Sequence, residues 1–280
     1  MGEQFHGNTA RKIKMKLRAF IKTLTTTFAL LIIPLFYLEA SSTVTAKEAW
    51  QTLVSKRGIK TPEFQFVENN PELPNVFIYG DSISIHFTQT VREQLKDKAN
   101  IYRLFFNGQE SKTFIPKMKK MLETMQDENL QNPWSFSWDI VFFNVGLHDT
   151  KYLAGKKLDA KRGIQVSTVE EYKENLKKII LYLKEIAPQA TLMFATTTPI
   201  PENSEGWVLG DDIRYNNAAI EILKHFPEVV VVDLYAFTRP HHKEWILRPG
   251  NVHYNAKGRS AQGVEVARNI LRELEKRKSR

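Results

Sequence analysis

The chain of 280 residues contains no cysteine. This absence excludes disulfides, a lipidated cysteine, a thiolate nucleophile and any metal site built on cysteine. Chemistry carried out by this protein must therefore use oxygen or nitrogen side chains, or a metal held by histidines and carboxylates. The chain also lacks internal repeats and low-complexity segments, and its length and 42% hydrophobic content suit one domain with a full core.

A clear membrane-spanning run is also missing. The apolar stretch FALLIIPLFYL at 28–38 is shorter than the ~20 residues that cross a bilayer. Basic residues precede it and small or polar residues follow, which is typical of a secretory signal with cleavage near Ala40 or Ala46. We predict that residues 1–46 are a signal peptide or, alternatively, an uncleaved membrane anchor. Either reading places the remaining chain outside the cytoplasm, as a secreted or periplasmic protein.

The net charge of +9 does not indicate a nucleic-acid-binding face. Basic residues outnumber acidic ones six to one in residues 1–22 and eight to three in residues 257–280, so the segment between is close to neutral. A groove that follows phosphates needs its basic residues on the recognition face itself. We therefore expect no nucleic acid as a partner. We interpret the basic end of the C-terminal helix as a solvent-exposed surface. The alternative is that it is attracted to a membrane surface.

Residues 73–280 alternate short apolar runs with amphipathic helical patterns, after a lead-in segment at 47–72. Such alternation predicts right-handed βαβ crossovers and a parallel sheet covered on both faces. The expected fold class is α/β, a three-layer α/β/α, flavodoxin-like domain with about five strands. The predicted strands lie at 76–79, 101–106, 139–146, 191–199 and 229–235.

The carboxyl ends of such strands are where open α/β sheets bind ligands. Ser82 follows the first strand in the segment VFIYGDSISI and opens a helix, where unpaired N–H groups favour negative charge. Its hydroxyl is either a nucleophile or merely a helix cap. The G-x-S-x-G elbow and the Walker phosphate loop are both absent around it.

A serine nucleophile needs a base, usually an imidazole. Of the seven histidines, His148 and His253 lie in loops after strand-like runs. His253 precedes the last helix and is expected at the same sheet edge as Ser82. A metal site built on His148, Asp149, His241, His242 and His253 is the competing interpretation, although no H-E-x-x-H pattern supports it.

Four short motifs, in this order and spacing, resemble those of the SGNH (GDSL-type) hydrolases. They are GDSIS at 80–84, Gly108, GLHD at 146–149 and NVH at 251–253, and the resemblance covers roughly residues 74–275. The segments FNVGLHD, ATTTPIPE and DIRYNNAAIE are similar to a secreted bacterial branch of that superfamily. The resemblance implies a serine esterase that needs no cofactor. Ser82 would attack an ester carbonyl, and His253 would act first as base and then as acid.

Two positions depart from the usual pattern of that superfamily. The oxyanion would be held by the N–H groups of Ser82 and Gly108 and by a side chain of the third motif, whose usual asparagine is His148 here. Either His148 or Asn144 would make that donation. The aspartate that usually lies three residues before the histidine is Gly250 here.

Something other than that aspartate must orient His253. The candidates are the side chain of Asn251, a backbone carbonyl, or a distant acid such as Asp233. Asn251 would fix the tautomer without pairing with the imidazolium charge, so weak or lost activity is expected. Asp81 and Asp149 are expected to support the site, Asp149 by holding its loop through hydrogen bonds.

The substrate is predicted to be a small-molecule or polysaccharide ester. Four tryptophans, at positions 134, 138, 207 and 245, lie in or beside loops that could leave the catalytic edge, and indole faces stack on sugar rings. Removal of O-acyl groups, such as acetyl, from carbohydrate is the first reading. An O-acyltransferase acting on extracellular polysaccharide, or a carbohydrate-binding protein with a weak or dead site, are the alternatives.

Overall fold

The computed structural model describes residues 44–279. The predicted leader at residues 1–46 lies outside the described residues except for its last three, so it remains a prediction. Within the described range, no helix is both long and apolar enough to cross a membrane.

A five-stranded parallel sheet forms the centre of the domain. Its strands are β1 (Asn75–Tyr79), β2 (Asn100–Arg103), β3 (Ile140–Phe143), β7 (Thr191–Ala195) and β8 (Val230–Val232). Their spatial order is β2-β1-β3-β7-β8, the flavodoxin-like order in which β1 and β3 flank the topological switch point. The predicted fold class is confirmed. The first strand begins one residue earlier than predicted, and the other four end before their predicted runs do, where the chain leaves the sheet for the loops.

Eight helices accompany the sheet in the described range. They are α1 (Ala46–Leu53), α2 (Ser82–Gln94), α3 (Phe114–Met125), α4 (Val169–Ile186), α5 (Asp211–Leu223), α6 (Leu234–Thr238), α7 (His242–Trp245) and α8 (Ala256–Lys278). Those at 82–94, 114–125, 169–186, 211–223 and 256–278 separate or follow the strands of the sheet, as the alternation in residues 73–280 predicted.

Alternating residues of the central strands build a core on each face of the sheet. Val76 and Ile78 of β1 point into one core, which α2 and α8 complete. Phe77 and Tyr79 point into the other, which α1, α3, α4 and α5 complete. All four residues are fully buried. The period of two along a strand thus explains why these runs are apolar throughout.

The lead-in segment packs against the domain. A Thr45–Glu48 capping box begins α1, and Trp50 is buried beside Trp134 with ring centroids 5.8 Å apart. The Trp50 indole N–H donates to the carbonyl of Phe64 at 2.7 Å. Residues 47–72 therefore contribute to the core on the α3 side of the sheet.

A second, smaller sheet lies in the connection between β3 and α4. Its antiparallel strands are β4 (Tyr152–Ala154), β5 (Lys157–Leu158) and β6 (Ile164–Gln165), in the order β5-β4-β6. Strands of two or three residues carry too little alternation to be predicted from sequence. This sheet directly follows the third sequence motif and contributes Leu158 to the cleft described below.

Candidate active site

Ser82 is the first residue of α2 and does not cap it. The cap is Asp81, whose side chain accepts a hydrogen bond from the Ile83 N–H at 2.9 Å. The Ser82 hydroxyl instead lies 2.9 Å from Nε2 of His253, across 171 positions of sequence. Of the two predicted roles for Ser82, helix cap and nucleophile, the capping role belongs to Asp81. The Ser82 hydroxyl is therefore available to act as a nucleophile.

Asn251 orients the His253 ring. Its Oδ1 accepts the backbone N–H of His253 at 2.8 Å and lies 3.0 Å from the ring Nδ1. A backbone N–H can only donate, so the atom beside Nδ1 must be the amide oxygen, and Nδ1 must carry the proton. Nε2 is then the acceptor for the Ser82 hydroxyl, as a general base requires.

The charge next to His253 is positive. Burial, and then the Arg259 guanidinium, lower the pKa of His253 below its ordinary value of 6.5. Asp233, a predicted alternative for orienting this ring, is engaged elsewhere. Its carboxylate accepts hydrogen bonds from the Thr196 hydroxyl and the Ala236 N–H, both at 3.0 Å, and caps α6.

Two of the predicted oxyanion donors are committed to other partners. The Gly108 N–H donates to the Gly80 carbonyl at 2.8 Å. The Asn144 amide donates to Asp81 at 3.3 Å, and its oxygen is buried without a partner in the described part of the chain. The prediction that Gly108 supplies an oxyanion N–H is thus not supported by this arrangement. The close packing of the first two motifs uses that N–H instead.

The packing around position 80 favours glycine. A Cβ atom there would lie 1.9 Å from Asn144 Oδ1 and 2.7 Å from Ser84 Oγ. Real Cβ atoms do not approach other atoms so closely, so a side chain at this turn would require the buried Asn144 and Ser84 side chains to move. The turn thereby sets the position of Ser82 relative to β3.

The other two predicted oxyanion donors have no protein partner in the described residues. The Ser82 N–H, in the first turn of α2, has no protein acceptor within residues 44–279. His148 is the second, since its Nε2 has no protein partner there and is not among the buried, unsatisfied atoms. Burial, followed by the charges of Lys151 and Lys117, lowers the pKa of His148 to about 3, so its imidazole is neutral. A neutral imidazole can donate one N–H.

Asp149 fixes the loop that carries His148. The fully buried carboxylate accepts the Ser111 N–H at 2.9 Å, the Ser111 hydroxyl at 2.6 Å and the Ser167 hydroxyl at 2.7 Å. It thus joins the third motif to the segments before α3 and α4, as the sequence predicted for its supporting role. Burial is the main cause that raises the pKa of Asp149.

Asp81, predicted as a supporting residue, lies next to Ser82, and the buried Arg103 whose charge acts on it was missed in the sequence. Burial raises the pKa of Asp81 to about 6, and its second carboxylate oxygen has no partner among the described residues. Arg103, fully buried in β2, acts on Asp81 through its charge and donates to Thr88 at 2.6 Å. An arginine inside the apolar run IYRLFF was the signal that could have revealed it.

The residues of the alternative metal site are not brought together. His241 stacks on Trp245 with centroids 4.4 Å apart, and His242 lies 3.4 Å from the Tyr254 hydroxyl. Asp149 is enclosed by serines. Residues 44–279 contain no group of three His, Asp or Glu side chains that could hold a metal ion.

A cleft of about 430 Å³ opens beside His253. Trp207 and Arg248 line it, with further lining from residues 203–205 and 249–252. The Trp207 indole N–H donates to the Leu147 carbonyl at 2.8 Å, which places this ring next to the third motif. The tryptophans at 134, 138 and 245 are buried in the two cores, so the prediction that they could line the catalytic edge is wrong for those three.

Comparisons with known proteins agree on the family and the fold. A family model described as the GDSL-like lipase/acylhydrolase family matches residues 78–261. A search of curated proteins found no match. Among solved structures, an acetyl xylan esterase, AlAXEase, superposes with a TM-score of 0.53 at 18% identity, covering 70% of this chain and 99% of that one.

Two further structures give the same result. The lipase/acylhydrolase from Enterococcus faecalis superposes with a TM-score of 0.52 at 17% identity, covering 70% of this chain and 95% of that chain. Axe2, an acetylxylan esterase from Geobacillus stearothermophilus, superposes with a TM-score of 0.51 at 15% identity, covering 71% of this chain and 93% of that chain. At these identities the similarity establishes the fold alone.

Proposed function

The chain belongs to the GDSL-like lipase/acylhydrolase family, and on that premise we propose that it hydrolyses carboxylic esters with Ser82 as nucleophile and His253 as base. The observation that carries the proposal is the 2.9 Å contact between the Ser82 hydroxyl and His253 Nε2. Such a contact at the carboxyl edge of the sheet, beside an open cleft, is the geometry that activates a serine.

The reaction follows from the orientation of the imidazole. His253 Nε2 takes the proton of the Ser82 hydroxyl as Oγ attacks the ester carbonyl, and a tetrahedral oxyanion forms. The imidazolium then gives that proton to the departing alcohol oxygen, which leaves an acyl group on Ser82. A water molecule, deprotonated by the same Nε2, attacks this acyl-enzyme, and the imidazolium returns the proton to Ser82 Oγ as the acyl bond breaks and the carboxylic acid leaves.

The oxyanion would be held by the Ser82 N–H and by Nε2–H of His148. Both groups are unpaired within the described chain. The positive end of the α2 macrodipole reinforces the first of them. Donors that are fixed before the reaction would stabilise the developing charge without reorganisation.

Asn251 limits the rate of ester hydrolysis because its side chain carries no charge. It holds the tautomer that the base needs, but it cannot pair with the imidazolium that forms in the transition state. We therefore propose an active enzyme with a lower rate than a complete serine triad would give. The preformed Ser82–His253 contact favours this reading over a carbohydrate-binding protein with a dead site.

We propose an acyl group on carbohydrate as the substrate. Trp207 in the cleft offers a stacking face for a sugar ring, and the names of two superposed structures include acetyl xylan esterase. Export through residues 1–46, to the periplasm or the medium, would bring the enzyme to such polymers. Determining the N-terminal residue of the purified protein would test the export proposal.

The test is release of acetate from acetylated xylo-oligosaccharides and from p-nitrophenyl acetate. We expect turnover by the wild type and none above background in Ser82→Ala. Turnover unchanged in Ser82→Ala would refute the proposal. Adding an unacetylated sugar acceptor separates the alternatives, because an O-acyltransferase would produce a newly acylated sugar instead of free acetate.

A further inference from the structure

The imidazole of His148 contacts a lysine through Nδ1, and its other nitrogen, Nε2, has no protein partner in the described residues. Lys151 Nζ lies 2.9 Å from His148 Nδ1. A lysine ammonium has three donors and no acceptor. Nδ1 of His148 must therefore be the acceptor in this contact, which leaves the imidazole proton on Nε2.

Carboxylates near Lys151 oppose the effect of its burial. Burial and the charge of Lys112 lower the pKa of Lys151 from its ordinary value, and the negative charges of Glu110, Asp149 and Asp81 counteract part of that shift. The other nearby lysine, Lys117, is occupied elsewhere: its ammonium donates to the Asn107 carbonyl at 2.8 Å and to the Gln109 side chain at 2.6 Å. Lys151 is thus the cation that contacts this ring.

The loop that joins His148 to Lys151 is fixed at both ends. The Thr150 N–H donates to the Gly146 carbonyl at 3.0 Å, and the Thr150 hydroxyl to the Leu147 carbonyl at 2.9 Å. Lys151 accepts the Val166 N–H through its own carbonyl at 2.9 Å. Asp149 anchors the middle of the loop, as described above. The contact is therefore part of an ordered turn.

We propose that Lys151 is a positioning residue that holds His148 in the Nε2–H tautomer, so that this N–H can donate to the oxyanion of the ester reaction. The inference rests on the proposed function of Ser82. A histidine at this position needs a hydrogen-bond partner to fix its tautomer, and an asparagine would not. An amide always presents its N–H groups, whereas an imidazole carries its proton on either nitrogen, and the hydrogen bond at the other nitrogen decides which.

The first test reads the tautomer directly, without any substrate. ¹⁵N NMR of histidine-labelled protein distinguishes a protonated from an unprotonated ring nitrogen. For wild type we expect His148 with Nε2 protonated and Nδ1 unprotonated, and for Lys151→Met a shift of the proton toward Nδ1. A wild-type ring protonated at Nδ1, or a tautomer unchanged in Lys151→Met, overturns the inference whether or not the protein is an esterase.

The second test is a kinetic cycle with His148→Asn. Removing an oxyanion donor costs about 10²–10³ in kcat, so loss of only its orientation in Lys151→Met should cost roughly 10–100-fold. In the His148→Asn background, Lys151→Met should have little further effect, because an amide has no tautomer to hold. An equal loss in both backgrounds would refute a role that acts through His148.

Lys112→Met is the matched control. Lys112 carries the same charge and is close enough to act on Lys151, but its side chain is 59% exposed and pairs with Glu110 at 3.9 Å. We expect its kcat to stay within about twofold to threefold of wild type. A loss equal to that of Lys151→Met would show that the effect comes from positive charge in general and not from the contact with Nδ1, and would overturn the inference. Failure of the proposed esterase function would appear separately, as turnover that Ser82→Ala leaves intact.

Discussion

Replacing Asn251 by aspartate should raise turnover, because it adds the missing charge without changing shape. Aspartate and asparagine have the same size, and the oxygen that accepts the His253 backbone N–H at 2.8 Å would keep its place 3.0 Å from Nδ1. The new carboxylate would pair with the imidazolium that forms as Ser82 attacks.

The magnitude follows from the distance and the surroundings. Two unit charges about 4 Å apart attract by about 4 kcal/mol at an effective dielectric of about 20. The His253 side chain is only partly buried, and the carboxylate must itself be desolvated, so we expect roughly 1.4–2.8 kcal/mol in the transition state. That corresponds to an increase in kcat of about 10–100-fold. It is smaller than the ~10⁴-fold effect of the reverse change in a serine triad, where the tautomer is lost as well.

The assay is the pH dependence of ester hydrolysis by wild type, Asn251→Asp and Asn251→Ala. The added carboxylate should raise the pKa of His253, so the acid limb of kcat/KM should move to higher pH while the plateau rises. Asn251→Ala should lose activity because the ring is no longer oriented. A folded Asn251→Asp protein with neither a higher plateau nor a shifted limb would refute the view that missing charge limits this enzyme.

Three further predictions concern pH and stability. Because the pKa of His253 is lowered and the base must be neutral, wild-type kcat/KM should reach half its plateau below pH 6.5 as pH rises, and a midpoint above that value in a pH–rate profile would contradict the assignment. Asp81 has a folded-state pKa of about 6 against an ordinary 3.8, so its ionisation removes stability as pH rises through that window. Asp81→Asn should therefore gain roughly 2 kcal/mol relative to wild type between pH 4 and pH 7 in urea unfolding, and no gain would count against the buried charge. Gly80→Ala should destabilise the fold by about 1–3 kcal/mol or more, because its Cβ would lie 1.9 Å from Asn144 Oδ1, and an unchanged Tm would show that the turn relaxes freely.

The five-stranded sheet was predictable because its strands and helices have different periods. Runs such as VFIY are apolar on both faces, while the 169–186 helix carries one apolar stripe. The rule that ligands bind at the carboxyl ends of parallel strands then placed Ser82 and His253 at one edge, and the structure brings them to 2.9 Å. Asn251 followed as one of three candidates for orienting the ring.

Other parts of the site depend on contacts that no periodicity encodes. Lys151 lies in a polar loop where a lysine is ordinary, so nothing in the sequence distinguishes it from its neighbours. The engagement of the Gly108 N–H by Gly80 depends on how closely two loops approach. The tryptophans at 134 and 138 flank a strand and looked accessible, but they pack around Tyr102 within the core.

The central claim is that His253 activates the hydroxyl of Ser82, and covalent labelling tests it most directly. Folded wild-type protein, Ser82→Ala and His253→Ala would be treated with a fluorophosphonate and followed by intact-protein and peptide mass spectrometry. We predict one adduct per chain, located on Ser82, absent in Ser82→Ala and formed far more slowly in His253→Ala. No adduct on the wild type, or an adduct whose rate does not depend on His253, would contradict the claim.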